Sequence, residues 1–166
     1  MKKNGSTTVA ATMYLAHLAG LKLFVTGGIG GVHRGADKTF DISADLTELA
    51  RTPVTVVSAG IKSILDVGKT VEVLETLGVP LLTYQSDTMP DFFFSSSEYK
   101  SPMRVENGFE AAAIITQTKN LLIKTGTLVT VPIPSENEDD KSKIKSAIDQ
   151  AVREEEIRYG VALVRE

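Results

Sequence analysis

The stretch that decides the fold is residues 54–77, VTVVSAGIKSILDVGKTVEVLETL. Its first four residues are all β-branched and show no polar alternation, which is typical of a strand buried on both faces of a parallel sheet. The small residues Ser58-Ala59-Gly60 then predict a tight turn. From Lys62 to Leu77 apolar residues recur at helical spacing, which predicts a long helix with one face on the sheet. Strand, turn and helix in this order form one unit of an α/β fold.

The same alternation of strands and helices continues on both sides of this unit. The pattern predicts further strands at Leu21–Val25, Val79–Thr83 and Thr127–Val131. It predicts helices at Val9–Ala19, Ser43–Arg51, Glu106–Leu121 and Asp139–Ile157, and irregular segments at Thr26–Phe40 and Tyr84–Val105. We therefore expect an α/β fold with a mostly parallel central sheet, built as a single domain over residues 1–166. Sheets of this kind bind ligands at the carboxyl ends of their strands.

Composition excludes several classes of function. The 166 residues are 42% apolar and 23% charged, as in a globular protein, and the net charge of -3 gives no general attraction to nucleic acid or to an anionic membrane. The absence of cysteine excludes disulfides, thiolate catalysis and cysteine-bound zinc. Met1-Lys2-Lys3 before an apolar stretch resembles a short signal peptide, but the polar residues within that stretch and the lack of a cleavage site argue against secretion. We expect a cytoplasmic protein with no membrane contact, and a mitochondrial or other organellar location is also compatible with the composition.

A glycine-rich loop, TGGIGGVHRG, runs from Thr26 to Gly35. Glycine permits close approach of the backbone to a ligand, and successive N–H groups can cradle a phosphate. The loop is neither a dinucleotide fingerprint nor a P-loop, because His33 stands at the third glycine position and no Gly-Lys-Ser/Thr follows. A tight turn after a strand is the alternative interpretation. Arg34 fits a ligand contact and a structural ion pair equally well.

Two carboxylates, Asp41 and Asp45, stand four residues apart, which places them on one face of a helical turn. The spacing fits helix capping by Asp41 or Ser43, with Asp45 stabilised by the helix dipole. It also fits a hard cation such as Mg²⁺ or Mn²⁺, which takes oxygen ligands and keeps several waters. Spacing alone favours capping and leaves the metal open.

Lys62 follows a buried strand at a predicted helix start, where a cation is unfavourable. Desolvation there would lower the pKa of the lysine further, and such a lysine is the nucleophile that Schiff-base chemistry on a sugar carbonyl requires. The alternative is an exposed lysine that extends into water.

Two other features are interpreted as structural. We expect His17 to lie at the end of a helix, and Phe92-Phe93-Phe94 to be a core or subunit-contact cluster rather than a base-stacking platform.

Together, several blocks of the sequence resemble the pseudouridine-5′-phosphate glycosidases, also called indigoidine synthase A-like proteins. The resemblance covers most of the chain, from about Gly5 to the C-terminal helix, and GGIGGVHRG and SAGIKSILD are its most specific parts. The blocks that carry it are Gly5–Met13, Thr26–Gly35, Phe40–Leu46, Val56–Asp66, Leu74–Pro80 and Pro132-Ile133-Pro134.

The resemblance implies a three-layer α/β/α fold, a homotrimer and a Mn²⁺ requirement. It implies reversible conversion of pseudouridine 5′-phosphate and water to uracil and ribose 5-phosphate, with the sugar carried on a lysine Schiff base. By position the catalytic lysine is Lys62, the metal ligand is Asp41, and the substrate contacts are Val9, through its backbone, with Ser43, Ala44 and Asp45. Thr8 and His33 are expected as further phosphate or ribose contacts.

The chain also departs from the family pattern. Family members extend beyond both ends of the match, and their upstream glutamate general acid and a further substrate-binding lysine have no counterpart here. The last residues, Val161–Glu166, do not resemble the family's continuation. We therefore expect a fragment of the glycosidase domain, and since general acid–base help is typically worth ~10²–10⁴-fold in rate, a catalytically impaired sugar-phosphate-binding or subunit-association module is the alternative function. A Schiff-base lyase of the aldolase type is a third hypothesis, and only the blocks around Lys62 separate it from the first.

Overall fold

The computed structural model describes residues 6–134 and 141–159. The helices are α1 (Val9–Leu18), α2 (Ala36–Thr39), α3 (Ala44–Arg51), α4 (Val67–Thr76), α5 (Gly108–Asn120) and α6 (Lys141–Tyr159). The strands are β1 (Leu23–Val25), β2 (Val32–His33), β3 (Thr55–Ser58), β4 (Leu65–Asp66), β5 (Leu81–Tyr84), β6 (Arg104–Val105) and β7 (Thr127–Thr130). The predicted start of α6 at Asp139 and the tail Val161–Glu166 lie outside the described residues.

The described residues form one five-stranded sheet in the order β1-β3-β7-β5-β6, and every strand pair in it is parallel. In the centre of the sheet Val56 of β3 stands between Phe24 of β1 and Leu128 of β7. A separate antiparallel pair joins β2 to β4. The prediction of a mostly parallel sheet is confirmed.

Alternate residues of each strand face opposite layers of helices, as the pleat of a strand requires. Val56 and Leu128 belong to a buried cluster with residues of α1, α3 and α4. Val57 and Val129, their neighbours along the strands, pack in a second cluster with Ala111 and other residues of α5. Helices on both faces of one sheet make the fold a three-layer α/β/α structure, as the family resemblance implied.

Three segments differ from the predictions. The helix predicted from Lys62 begins instead at Val67, because Leu65–Asp66 pair with β2 and the Asp66 carboxylate accepts a hydrogen bond from the amide of Lys69 at 3.0 Å as the N-cap. The segment Thr26–Phe40, predicted as irregular, contains β2 and α2, and the segment Tyr84–Val105, also predicted as irregular, ends with β6. The later start of α4 and the presence of β2 arise from one pairing between residues that are far apart in the sequence.

Among residues 6–134 and 141–159, no helix combines the length and apolarity needed to cross a bilayer.

Candidate functional site

A cleft of about 440 Å³ opens at the carboxyl ends of β1 and β3. This is the edge at which an open parallel sheet usually binds its ligands. The residues that line the cleft come from the segment entering α1, from the loops after β1 and β3, from α3 and from the segment after β5. They are Ser6, Thr7, Thr8, Val9, Thr26, Gly28, Asp45, Lys62 and Phe92.

The loop that carries Lys62 is joined to the glycine-rich loop by backbone hydrogen bonds. The amide of Ile29 donates to the carbonyl of Gly60 at 3.1 Å, and the amide of Lys62 donates to the carbonyl of Ile29 at 3.1 Å. These bonds continue the β1–β3 pairing beyond the strand ends and place the half-buried Lys62 in the cleft. The prediction that Lys62 starts a helix is wrong, since α4 begins five residues later, and the helix-dipole argument for this lysine falls with it.

Asp45 connects three elements at the floor of the cleft. Its side chain belongs to α3, is almost wholly buried at 1% exposure, and accepts hydrogen bonds from the amides of Ala10 in α1 at 2.7 Å and Gly30 at 2.8 Å. A carboxylate beside the first turn of α1 is also favoured by the dipole of that helix. Asp45 therefore fixes the cleft wall as well as lining it.

The predicted helical turn with Asp41 and Asp45 on one face does not form. Helix α3 begins at Ala44 with Ser43 as N-cap, whose hydroxyl accepts from the amide of Asp45 at 3.3 Å. Asp41 lies before the helix, in a segment paired with β2, where its carbonyl accepts from the amide of His33 at 3.0 Å. Capping by Ser43, one of the two capping alternatives, is confirmed.

Several amides of the glycine-rich loop are used within the protein. The N–H of Gly30 goes to Asp45, that of Val32 goes to the Thr70 hydroxyl at 2.9 Å, and those of Ile29 and His33 go to carbonyls. These four amides are not available to a phosphate, and for the other amides of the loop the phosphate cradle stays a prediction. Two glycines are needed for close packing: a Cβ on Gly30 would lie 2.2 Å from the Ser43 hydroxyl, and one on Gly31 would lie 2.5 Å from that of Thr70.

His33 and Asp41 form a second polar pair outside the cleft lining. The Nδ1 atom of the buried His33 lies 3.7 Å from a carboxylate oxygen of Asp41, whose side chain is 37% exposed. No group of three His, Asp or Glu side chains suited to a metal ion occurs in the described parts of the chain. The partly exposed Asp41 carboxylate supplies oxygen, the ligand type that hard cations take, and a metal at Asp41 stays a prediction.

Arg34 is a structural residue. Its guanidinium donates to the carboxylate of Asp149 in α6 at 2.7 Å and to the carbonyl of Ser63 at 3.0 Å. The hydrogen bond from Arg34 holds the pKa of Asp149 below its usual value. Of the two alternatives for Arg34, the ion pair is the one that forms, and it fastens α6 to the loops near the cleft.

The structure thus brings four of the predicted site residues together in the cleft, namely Thr8, Val9, Asp45 and Lys62. Ser43, Ala44, Asp41 and His33 lie near them in the chain but are not among the lining residues. Five lining residues were not among the predicted contacts, namely Ser6, Thr7, Thr26, Gly28 and Phe92. Thr26 and Gly28 belong to the loop that was considered as a ligand loop, whereas Phe92 had been assigned to a core or subunit contact. The only sequence signal for Phe92 was its place in the irregular segment after a predicted strand.

Residues 1–161 match the sequence profile of the indigoidine synthase A-like proteins, and the chain belongs to this family. Two curated relatives, each described as a pseudouridine-5′-phosphate glycosidase, come from Nocardioides sp. and Escherichia coli. The first is 54% identical over 91% of this chain and 49% of its own length, and the second is 53% identical over 93% and 49%. The chain therefore spans about half the length of the curated relatives it matches.

Two solved structures are similar to the fold. An indigoidine synthase A-like protein from Thermotoga maritima is 40% identical, with a TM-score of 0.81 over 89% of this chain and 49% of that one. The prealnumycin C-glycosynthase AlnA, solved in complex with ribulose 5-phosphate, is 37% identical, with a TM-score of 0.86 over 93% of this chain and 51% of that one.

Proposed function

We propose that this chain carries the sugar-binding and nucleophilic part of a pseudouridine-5′-phosphate glycosidase. The observation that supports the proposal most directly is the meeting of Lys62 with Asp45, Thr8 and Val9 in one cleft at the strand ends. The names of the curated relatives and the sugar phosphate in the AlnA structure agree with it. The same comparisons favour the glycosidase over an aldolase-type lyase.

The proposed chemistry uses the Lys62 amine as the nucleophile. Nζ bonds to C1′ of the ribose while the ring oxygen leaves and takes a proton. The C1′–C5 bond then breaks with its electrons passing to uracil, whose C5 is protonated, and C1′ remains as an imine on Lys62. Water hydrolyses the imine to the aldehyde of ribose 5-phosphate and restores the amine.

The surrounding side chains would position the sugar phosphate. The hydroxyls of Ser6, Thr7 and Thr8 line the cleft beside the N-terminus of α1, where an anion is favoured. Asp45, which lines the cleft and is held by two backbone N–H groups, is the predicted acceptor for ribose hydroxyls. Ser43, Ala44 and His33 remain predicted contacts, which would require the substrate to extend beyond the cleft lining.

Manganese is part of the proposal. Asp41 would hold the ion with water and substrate oxygens completing the coordination, since Mn²⁺ accepts hard oxygen ligands. When bound, the ion would neutralise negative charge on the substrate. A homotrimer, which the family resemblance implies, and a cytoplasmic location complete the proposal.

Borohydride trapping tests the assignment. The protein is incubated with ribose 5-phosphate and Mn²⁺, reduced, digested and mapped by mass spectrometry, with Lys62→Arg as the matched control. We expect a reduced sugar-phosphate adduct on Lys62 and none on the variant. A folded protein without an adduct at this position, or with one that persists in the variant, contradicts the proposal.

The second candidate function is the sugar-phosphate-binding module that the sequence left open as an alternative. A binding module would form the adduct but not complete the reaction. Ultraviolet absorbance during condensation of uracil with ribose 5-phosphate separates the two candidates. Condensation supports the glycosidase, and an adduct without condensation supports the sugar-phosphate-binding module.

A further inference from the structure

Phe92 is the one aromatic side chain among the residues that line the cleft, and the glycine-rich loop is shaped around it. A Cβ on Gly28 would lie 2.5 Å from Cδ2 of the Phe92 ring, and one on Gly27 would lie 3.5 Å from Cε2. The ring therefore rests on bare backbone at the mouth of β1, in a space that any larger residue at position 28 would fill.

The backbone presents this ring in an unusual conformation. Phe92 has a φ of 52°, in the left-handed region that bulky residues rarely adopt. The turn is held from both sides, because the Ser63 hydroxyl donates to the carbonyl of Asp91 at 2.6 Å and the amide of Phe94 donates to the same carbonyl at 3.1 Å. Such conformations persist where the surrounding structure fixes them, and they concentrate at ligand sites.

The ring of Phe93 packs against that of Phe92 and helps to hold it at the cleft. Phe93 meets Phe92 edge to face, with centroids 4.6 Å apart and planes at 79°. Phe94 is buried in the protein, with 4% of its surface exposed. The three phenylalanines therefore have different environments, and only the first of them lines the cleft.

The cleft has a polar part and one aromatic side chain, that of Phe92. Three lining residues, Val9, Gly28 and Phe92, have no polar side chain. The others carry hydroxyl, carboxylate or ammonium groups, which suit a sugar phosphate. The substrate of the proposed function has one flat part without charge, the uracil base, and bases pack well on aromatic rings. We propose that Phe92 is a specificity-determining residue whose ring packs against the base. This inference rests on the proposed function.

If Phe92 packs against the base, its loss should affect the binding of two ligands differently. Pseudouridine 5′-phosphate carries the base and uses the ring, whereas ribose 5-phosphate lacks the base and does not. Loss of the ring should therefore weaken binding of the nucleotide without changing that of the sugar phosphate. A residue that only shaped the cleft would affect both ligands alike.

Calorimetric titration of the 166-residue chain with each ligand tests this split. Phe92→Ala is expected to raise the Kd for pseudouridine 5′-phosphate about tenfold, within the range for one base–aromatic contact, and to leave the Kd for ribose 5-phosphate unchanged. Phe92→Leu keeps an apolar side chain of smaller volume but not the aromatic face, and it should show part of the loss. Phe92→Tyr keeps the aromatic face and should bind the nucleotide as the unaltered protein does. Phe109→Ala is the control, because Phe109 is 88% exposed and lies outside the cleft lining.

The outcomes separate this inference from the proposed function. Equal weakening of both ligands, or of neither, in the folded Leu and Ala variants overturns the role of Phe92 while trapping on Lys62 stays intact. If the unaltered protein binds neither ligand and forms no adduct, the proposed function is wrong and the inference fails with it. If the alanine variant does not fold, the comparison of Phe92→Leu with Phe92→Tyr decides the question.

Discussion

At the scale of single residues, Asp45 shows how one buried carboxylate can serve both stability and the site. Its two oxygens accept the amides of Ala10 and Gly30, which belong to different elements. Asp45→Asn replaces one acceptor with an NH₂ group that faces an N–H donor. We expect the variant to lose about 2–3 kcal/mol in the free energy of unfolding, measured by urea denaturation.

Asp37→Asn is the matched control for this change. Asp37 is an exposed partner of Lys69 at 3.6 Å, with 61% of its side chain accessible, and exposed pairs contribute little. A loss at Asp45 no larger than that at Asp37 would show that the amides of Ala10 and Gly30 find other acceptors.

Gly30 gives a second prediction at this scale. A methyl group there would lie 2.6 Å from Cβ of Ser43 and 2.9 Å from a carboxylate oxygen of Asp45, so the α3 N-terminus must move. Gly30→Ala should lower the free energy of unfolding by about 1–3 kcal/mol. Gly108→Ala is the control, because a Cβ at Gly108 meets nothing within 4 Å. Thermal unfolding measures the stability of both variants. An equal loss of stability in the two would contradict the packing argument.

The sequence could predict four residues that meet in the cleft but not how they are held. Lys62, Asp45, Thr8 and Val9 were identified through family resemblance, and the cleft brings them together. The hydrogen bond from Gly30 to Asp45 joins residues 15 apart, and that from Ala10 joins residues 35 apart, so no local pattern reveals them. The glycines accordingly suggested a phosphate loop, whereas two of them are required by packing.

At the scale of elements, the order of the longer strands and helices was predictable, whereas the short elements α2, β2, β4 and β6 and the start of α4 were not. The apolar spacing that identified α4 continues upstream of Val67 into Ile64 and Leu65, so periodicity alone extended the helix to Lys62. Residues Leu65–Asp66 pair with Val32–His33 instead, and this pairing outweighs their helical spacing. Asp66 was available as an N-cap signal, since Asp is a preferred capping residue.

The end of α3 carries a pH-dependent contribution to stability. Burial raises the pKa of Glu48, but hydrogen bonds from the Thr52 hydroxyl and the Arg51 guanidinium outweigh that effect and leave the pKa below its usual value. A carboxyl whose pKa is lowered by folding stabilises the protein above its unfolded-state pKa of about 4.3. That contribution is lost as the pH falls through the lower folded-state pKa.

Glu48→Gln should therefore be less stable than the unaltered protein at about pH 7, by about 1–3 kcal/mol, and the difference should shrink towards about pH 3. Urea denaturation at each pH measures it. Glu106→Gln is the comparison, because the pKa of Glu106 is also lowered by Arg104 but that pair is exposed. A pH-independent difference at Glu48 would show that shape, not charge, sets its contribution.

At the scale of the whole molecule, the two sheet faces are covered unequally. The alternation of strands and helices predicted a layered α/β fold. The strand order β1-β3-β7-β5-β6 depends on long-range pairing and was not predicted. On the face opposite α1, α3 and α4, helix α5 covers Leu82 and Val129. At the β1 edge, Phe24 packs into the other layer, while Leu23 and Val25 are 51% and 71% exposed.

Exposed apolar residues on an edge strand favour association between chains, because both the side chains and the unpaired backbone edge can be buried. We expect the protein to associate as its concentration rises, and we expect Val25→Glu to weaken that association about tenfold by placing a charge in the contact. Sedimentation velocity across a range of concentrations measures the change. Thr116→Glu adds the same charge at an exposed position of α5 and should have no effect. Equal weakening in both variants would point to net charge, and unchanged association in Val25→Glu would show that the contact lies elsewhere.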